Sequence, residues 1–258
     1  MLSEILELAI STAREVGALQ RERFEGPREI ETKSSAIDLV TDVDRASDQL
    51  VLERISSQRP DDEILLEETG RHAGHSGVRW IVDPLDGTTN YAHGFPHYAV
   101  SIGIEKDGMR ELGVIYDPMK DELFSVQRGA GAFRNGKPIA VSPETKLERA
   151  LLATGFAYDV NQAPDNNLEH FGRFIKRAQA VRRAGSAALD LAYVACGRFD
   201  GFWELELHPW DVAAGLLLVE EAGGRTSDLN GGPVPAAGNR LLATNWHLHE
   251  PMLEVLKT

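Results

Sequence analysis

The chain has 258 residues, of which 27 are basic and 40 acidic, giving a formal net charge of −13 at pH 7. So acidic a chain is a poor non-specific partner for nucleic acid or an anionic membrane, and we expect neither. The single cysteine, Cys196, excludes an intrachain disulfide. We expect a cytoplasmic protein, because the N-terminus lacks a signal-peptide pattern and no apolar run could span a bilayer.

The first part of the chain combines two helices with a run of strands. Apolar spacing near 3.6 predicts an amphipathic helix at residues 2–24, and a second helix is predicted at 43–57, ending before Pro60. Strand patterns separated by glycine-containing turns follow. The predicted strands are 64–66, 79–82, 99–105, 112–116 and 122–127.

After about residue 143 the predicted strands and helices alternate. Strands are predicted at 151–154, 199–203 and 241–244, and helices at 168–178, 187–196, 212–221 and the C-terminus. This order predicts an antiparallel α+β half, about 1–143, and an α/β half, about 144–258, within one domain. No flexible linker separates the halves, so we expect the functional site in the cleft between them.

One motif combines two acids with a glycine and a hydroxyl. An apolar run ends at Asp83, and Asp86 follows three residues later, with the Leu85 carbonyl between them. These are hard oxygen ligands of the kind that Mg²⁺ prefers. Gly87 permits a tight turn, and Thr88 then begins a predicted helix whose free N–H groups could hold a phosphate. The motif therefore indicates metal-assisted phosphoester hydrolysis.

The bare spacing Asp-x-x-Asp-Gly is more often a solvated turn or part of a calcium loop. Two features favour a functional site here. The residues before Asp83 form an apolar strand pattern, and no Asp-x-Asp-x-Asp-Gly calcium spacing follows.

Other acids occupy comparable positions, although each is weak evidence alone. Glu67 follows the apolar strand predicted at 64–66. Asp211 precedes an apolar helix, where a helix N-cap is the simpler interpretation. Asp44 begins the second predicted helix, and the neighbouring Asp42 is an equally suitable cap.

Cysteine and histidine are not required for this chemistry. Cys196 lies in the apolar stripe of a predicted helix, which favours a role in filling the core over that of a nucleophile. His72 and His75 fall in a polar loop beside Glu67, and solvated loop side chains are the better interpretation. We therefore assign no zinc site.

Several segments together resemble the inositol monophosphatase family of Mg²⁺-dependent, lithium-sensitive phosphatases, particularly its bacterial members. The matching segments are 33–44, 67–70, 83–90, 185–188, 202–204 and 210–215. The resemblance covers essentially the whole chain. It implies a layered αβαβα sandwich, two to three Mg²⁺ ions, inhibition by Li⁺, a small phosphorylated polyol as substrate, and a homodimer.

The resemblance also implies metal ligands in this chain. Glu67, Asp83 and the Leu85 carbonyl would hold a first Mg²⁺. Asp83, Asp86 and Asp211 would hold a second, and Glu67 could share a looser third ion.

Further roles are implied for the attacking water and the substrate. Thr88 would hold and deprotonate the water with Asp44, and Lys33 would steady the mobile metal loop or the phosphate. The implied contacts with phosphate come from the N–H groups of Gly87 and Thr88. The implied contacts with the alcohol come from Gly185, Ser186, Ala187, Glu204 and Asp86.

One difference concerns the alcohol pocket, where a second acid, Glu206, follows Glu204. It could favour a polyol or an amine-bearing alcohol over a bulky anion, or it could point into solvent. We favour the solvent interpretation, given the alternation of side chains along a strand.

The leading hypothesis is hydrolysis of myo-inositol 1-phosphate to myo-inositol and phosphate. The same mechanism could act on fructose 1,6-bisphosphate, histidinol phosphate or NADP, and the metal motif does not separate these substrates. A different class of function is a partner-binding regulatory protein, since some bacterial relatives act in RNA-associated complexes. The intact set of acids favours catalysis.

Overall fold

Two helices and a small hairpin begin the chain. The computed structural model describes residues 2–27, 29–33, 38–235 and 238–257. Helix α1 spans Leu2–Arg23, and strands β1 (Ile30–Thr32) and β2 (Leu39–Thr41) pair antiparallel. Helix α2 spans Asp42–Gln58. Thr41 is its N-cap, because its hydroxyl accepts from the backbone N–H groups of the first turn, so Asp42 is not the cap.

An eight-stranded sheet forms the centre of the N-terminal half. Its spatial order is β10-β9-β8-β7-β6-β5-β3-β4, and all neighbours are antiparallel except β3 and β5. The strands are β3 (Glu63–Leu66), β4 (Gly70–His72), β5 (Val78–Asp86), β6 (Ala99–Lys106), β7 (Met109–Asp117), β8 (Glu122–Gln127), β9 (Gly131–Arg134) and β10 (Lys137–Pro138). The short helix α3, Thr88–Ala92, lies between β5 and β6.

The C-terminal half is built on a five-stranded mixed sheet of order β12-β11-β13-β15-β14. Its strands are β11 (Leu151–Thr154), β12 (Ala180–Arg182), β13 (Gly201–Leu205), β14 (Arg225–Ser227) and β15 (Arg240–Thr244). Its helices are α4 (Leu168–Phe174), α5 (Ala187–Ala195), α6 (Pro209–Glu221) and α7 (His249–Lys257), and a short 3₁₀ turn spans Leu147–Arg149.

The elements stack in five layers. Helices α1 and α2 pack on the outer face of the large sheet, whereas α5 and α6 lie between the two sheets. Helices α4 and α7 cover the far face of the small sheet. Each interface buries its own apolar cluster, which drives the stacking. The predicted αβαβα sandwich is confirmed.

Several element boundaries differ from the prediction. The helix predicted at 168–178 ends at Phe174, because the chain turns so that Ala180 can donate to Ala150 O and begin edge strand β12. The strand predicted at 199–203 begins at Gly201, because Phe199 N still donates to Tyr193 O and closes the preceding helix.

Within the described ranges, no helix combines the length and apolar character needed to cross a bilayer. Ser34 and Ser35, which belong to the first matching segment, lie outside the described residues.

Candidate active site

The ends of two neighbouring strands bring the first acids together. Strands β3 and β5 are parallel, and Leu66 pairs with Val82. The next residues, Glu67 and Asp83, therefore leave the same edge of the sheet. This placement agrees with the prediction from the apolar runs.

Strand β5 is irregular where the two aspartates lie. Its register against β6 shifts between Asp83 and Asp86, and Asp83 Oδ1 accepts from the Leu85 N–H at 2.9 Å. Such an irregularity re-aims side chains, as bulges do beside active sites. Asp83 is 2% exposed and Asp86 9%, so both carboxyls are buried although they belong to charged residues.

Gly87 is required by the turn that follows. Its φ is +108°, and a Cβ there would lie 3.0 Å from His97 O. The turn starts helix α3 at Thr88, whose first N–H groups have no acceptor within the helix. The predicted helix start is therefore present.

The Thr88 hydroxyl joins the turn to Asp44 on helix α2. Thr88 Oγ1 donates to Asp44 Oδ1 at 2.7 Å, and it lies 3.2 Å from Leu85 O. The other Asp44 oxygen accepts from the Thr41 N–H at 2.8 Å and from the Thr41 hydroxyl. Burial raises the pKa of Asp44, while the bonds from Thr41 and Thr88 oppose that rise.

The C-terminal half supplies Asp211 and the start of helix α5. Helix α6 begins at Pro209, so Asp211 is its third residue and not the cap that the sequence suggested. Its Oδ2 accepts from the His208 N–H at 2.6 Å. Asp86 Oδ2 accepts from Ser186 Oγ at 2.6 Å and from the Ala188 N–H at 2.7 Å, which connects the two halves.

These residues surround one cavity of ≈ 570 Å³. All of the predicted site residues line it except Asp44, which reaches it through Thr88. The predicted residues on its wall are Lys33, Glu67, Asp83, Leu85, Asp86, Gly87, Thr88, Gly185, Ser186, Ala187, Glu204 and Asp211.

The acids of the cavity are crowded and lack enough positive charge. Burial, together with repulsion from Glu67, Asp86 and Asp211, raises the pKa of Asp83 well above its usual range. Burial and the charge of Asp86 do the same to the pKa of Asp211. Burial raises the pKa of Glu67 to about 7 and that of Asp86 to about 6. Bound cations would relieve this repulsion.

The donor set fits Mg²⁺, because it consists of carboxylates and a backbone carbonyl. Lys33 Nζ binds Glu67 Oε1 at 2.8 Å and also pairs with Glu68. Across the described part of the chain, no three acidic, histidine or cysteine side chains are arranged to hold a metal ion. A cation bound by these carboxylates would therefore draw their oxygens closer together than they lie here.

A second part of the wall comes from the C-terminal half. Gly185 has φ +89°, and Ser186 caps helix α5 by accepting from the Leu189 N–H. Glu204 is partly buried on β13, and burial raises its pKa to about 8. Glu206 lies just beyond the end of β13; it is exposed, as the solvent interpretation expects, and it also lines the cavity, so the choice between the two interpretations stays a prediction.

The polar residues of this wall that sequence reasoning missed include Tyr158, Arg183 and Asp190. Arg183 follows the edge strand β12, which was not predicted, and Asp190 lies within an apolar helix pattern. No periodicity could have identified them. Cys196 is partly buried against the core between the sheets, and burial raises its pKa, as expected of a core-filling thiol.

The family model described as "Inositol monophosphatase family" matches residues 1–258. The chain belongs to the inositol monophosphatase family. Family membership supports the assignment of the chain as a phosphatase.

Curated relatives and a solved structure agree with this family. The chain is 42% identical over 252 residues to an inositol-1-monophosphatase of Synechocystis sp., covering 97% of this chain and 88% of the relative. It is 41% identical over 251 residues to the Nus factor SuhB of Escherichia coli strain K12, covering 96% and 94%. The solved inositol monophosphatase of Anabaena (Nostoc) sp. has a TM-score of 0.89 and 44% identity, covering 99% of this chain and 96% of that one.

Proposed function

We propose that this phosphatase is Mg²⁺-dependent and hydrolyses myo-inositol 1-phosphate to myo-inositol and phosphate. The observation that carries the proposal is the cavity itself. It places a cluster of uncompensated acids beside a hydroxyl, that of Thr88, which already donates to a buried carboxyl. A phosphate ester is the class of substrate that needs this combination of charge neutralisation and an oriented water.

The proposed metal ligands are those implied by the family resemblance. Glu67, Asp83 and the Leu85 carbonyl would hold one ion, and Asp83, Asp86 and Asp211 a second, with Glu67 able to share a third. Bound Mg²⁺ supplies Lewis acidity for the water and for the leaving oxygen.

The remaining steps belong to the residues of the chain. Thr88 accepts the proton of the attacking water as its own hydroxyl proton moves toward Asp44, along the existing 2.7 Å hydrogen bond. The N–H groups of Gly87 and Thr88 bind the phosphate oxygens at the turn before α3. Lys33, once released by Glu67, is a cation that can pair with the phosphate or steady its own loop.

The alcohol is bound on the opposite wall. The proposed contacts come from the turn before α5, formed by Gly185, Ser186 and Ala187, and from the Glu204 carboxyl. Asp86 would reach a hydroxyl as well as an ion. The relative named inositol-1-monophosphatase supports inositol as the alcohol.

A substrate panel tests the assignment. We expect Mg²⁺-dependent hydrolysis with the highest kcat/KM on myo-inositol 1-phosphate, compared with fructose 1,6-bisphosphate, histidinol phosphate and NADP. A clear preference for another member of the panel contradicts the inositol assignment and leaves the phosphatase assignment intact.

We also expect Li⁺ to inhibit the enzyme when Mg²⁺ is limiting. Full activity in excess Li⁺ would contradict that expectation.

A second candidate function is binding to a partner protein, because relatives at 41% identity are named Nus factors. The variant Asp83→Asn separates the two functions. We expect it to abolish hydrolysis, and any partner binding that survives would be independent of catalysis.

We also propose that the protein is a homodimer. A sedimentation experiment that shows only monomer would contradict this proposal.

A further inference from the structure

Asp190 is a buried acid whose carboxyl group is only partly satisfied within the described residues. It lies on helix α5, is 1% exposed and lines the cavity. Its Oδ1 has no hydrogen-bond partner among the residues that the structure describes. Burying an unpartnered carboxyl is unfavourable, and such groups in native proteins call for an explanation such as a missing ligand.

The surroundings of Asp190 place it on the alcohol side of the cavity. Burial raises its pKa well above the usual range, the nearby charges of Glu204 and Asp86 add to that rise, and Arg183 opposes it. The Glu204 carboxyl packs directly against Gly155, because a Cβ built on Gly155 would lie 2.0 Å from Glu204 Oε1. Asp190 and Glu204 both line this cavity, and their carboxyl groups repel each other.

The remainder of helix α5 offers no structural reason for an acid at this position. The flanking residues Leu189 and Leu191 are fully buried in the apolar core between the sheets. Asp190 neither caps the helix, which Ser186 does, nor forms an ion pair in the described residues. An apolar residue would fill the same place without the cost of desolvation.

We infer that Asp190 is a specificity-determining residue, whose Oδ1 forms a hydrogen bond with a ring hydroxyl of the leaving alcohol. The inference rests on the proposed function and adds a contact to it. Bound alcohol would supply a hydrogen-bond partner for the Asp190 oxygen that has none among the described residues.

A hydroxyl fits this place better than a second anionic group. A hydroxyl both donates and accepts, so it can pair with a carboxyl in either protonation state. Among the described residues that line the cavity, the only Lys or Arg side chains are Lys33 and Arg183. Arg183 is the one whose charge acts on both Glu204 and Asp190. An anionic substituent on the alcohol would meet two acids there.

The test compares two esters that differ only in ring hydroxyls. Wild type, Asp190→Leu and Asp190→Asn are assayed in Mg²⁺ on myo-inositol 1-phosphate and on cyclohexyl phosphate. We expect Asp190→Leu to lower kcat/KM about tenfold on the inositol ester, the usual loss for one such hydrogen bond, and roughly twofold or less on the cyclohexyl ester. Asp190→Asn keeps hydrogen-bonding atoms and should lose less.

A second readout needs no turnover. Myo-inositol should raise the Tm of the wild type, and Asp190→Leu should reduce that increase. The matched control is Asp200→Asn. Asp200 is a buried acid outside the cavity that accepts from the Leu151 N–H at 2.7 Å. We expect this control to lower the Tm without changing the ratio of the two esters.

The outcomes separate the inference from the function on which it rests. Equal losses on both esters, or none on either, with the inositol-induced Tm increase retained, would show that Asp190 is structural and overturn the inference alone. A wild-type enzyme that hydrolyses no phosphate ester would overturn the proposed function and the inference with it.

Discussion

The two walls of the cavity are built differently. On the proposed phosphate side, Asp83 and Asp86 lie in the last part of β5 and Glu67 directly follows β3; neither is an edge strand, and protein donors hold each carboxylate. On the alcohol side, Arg183 follows an edge strand and Asp190 has an unpartnered oxygen within the described structure.

This difference separates two requirements of one reaction. Charge neutralisation and water orientation need fixed geometry, which strands inside a sheet provide. The proposed recognition of the alcohol uses the turn before α5, helix α5 itself and strand β13, and it depends on how well these groups match the hydroxyls of one substrate. We therefore expect substitutions on the phosphate side to affect the rate on every substrate, and those on the alcohol side to affect the choice among substrates.

The largest effect is expected from Asp83→Asn. It removes an acid that both proposed ions share, so kcat/KM should fall by about 10³-fold or more on every ester, near the upper range for loss of a preorganised electrostatic group. The Tm without metal should hold or rise, because the variant relieves repulsion among buried acids. Steady-state kinetics measure the fall in kcat/KM, and thermal unfolding in EDTA measures the Tm. Substantial activity of the variant with normal Mg²⁺ dependence would contradict the proposed site.

The next effect is expected from Asp44→Asn, which removes the acceptor of the Thr88 hydroxyl proton. Loss of a general base should lower kcat by about 10²-fold or more, with little change in KM. Asp42→Asn is the matched control two residues away, because Asp42 does not line the cavity and contacts the Glu29 N–H at 3.2 Å and Arg23 at 3.8 Å. If the two variants have equal kcat values, Asp44 has no role in the chemical step.

A smaller and more selective effect is expected from Gly155→Ala. The new methyl group would occupy the space of the Glu204 carboxyl, so KM for the inositol ester should rise about tenfold while the cyclohexyl ester is less affected. Gly172→Ala is the control, since a Cβ there meets nothing within 4 Å and Ala favours a helix. An unchanged KM for Gly155→Ala would remove Glu204 from the alcohol pocket.

The smallest expected effect is a change in Tm with pH. Folding raises the pKa of Asp86 to about 6, of Glu67 to about 7 and of Glu204 to about 8, from unfolded values near 4. The folded chain thus binds more protons, so without metal its free energy of unfolding falls as pH rises from about 4 to about 8.

Mg²⁺ binds ionised carboxylates and should offset that loss. The Tm increase on replacing EDTA with Mg²⁺ is therefore expected to be larger near pH 8 than near pH 5.5. An increase that is the same at both pH values contradicts the link between these acids and the metal.

The sequence identified the acids of the proposed phosphate side because they follow strands with distinct apolar patterns. The strand ending at Leu66 is half buried and the run before Asp83 is largely buried, and such runs have clear boundaries. The layered fold was also predicted, partly through the family resemblance. The roles of Glu67, Asp83 and Asp211 remain predictions, although the structure gathers these residues round one cavity.

The alcohol side was harder to predict because tertiary contacts create it. Strand β12 is three residues long and exists only because it pairs with β11, so Arg183 had no signal of its own. Asp190 interrupts an apolar helix by one polar residue, and only the packed structure shows that a cavity adjoins it. The capping roles of Thr41 and His208 likewise depended on boundaries one to three residues from those predicted.

Asp86 has a structural role and a proposed role in metal binding, and the combination limits how the sequence of this cavity can change during evolution. The same carboxylate that is proposed to bind an ion accepts from Ser186 and Ala188, and so fastens helix α5 to strand β5. Loss of this carboxylate would weaken the contact between the two halves and would also remove a proposed metal ligand. New specificities should therefore arise through positions of the cavity wall that neither join the two halves nor bind a proposed ion.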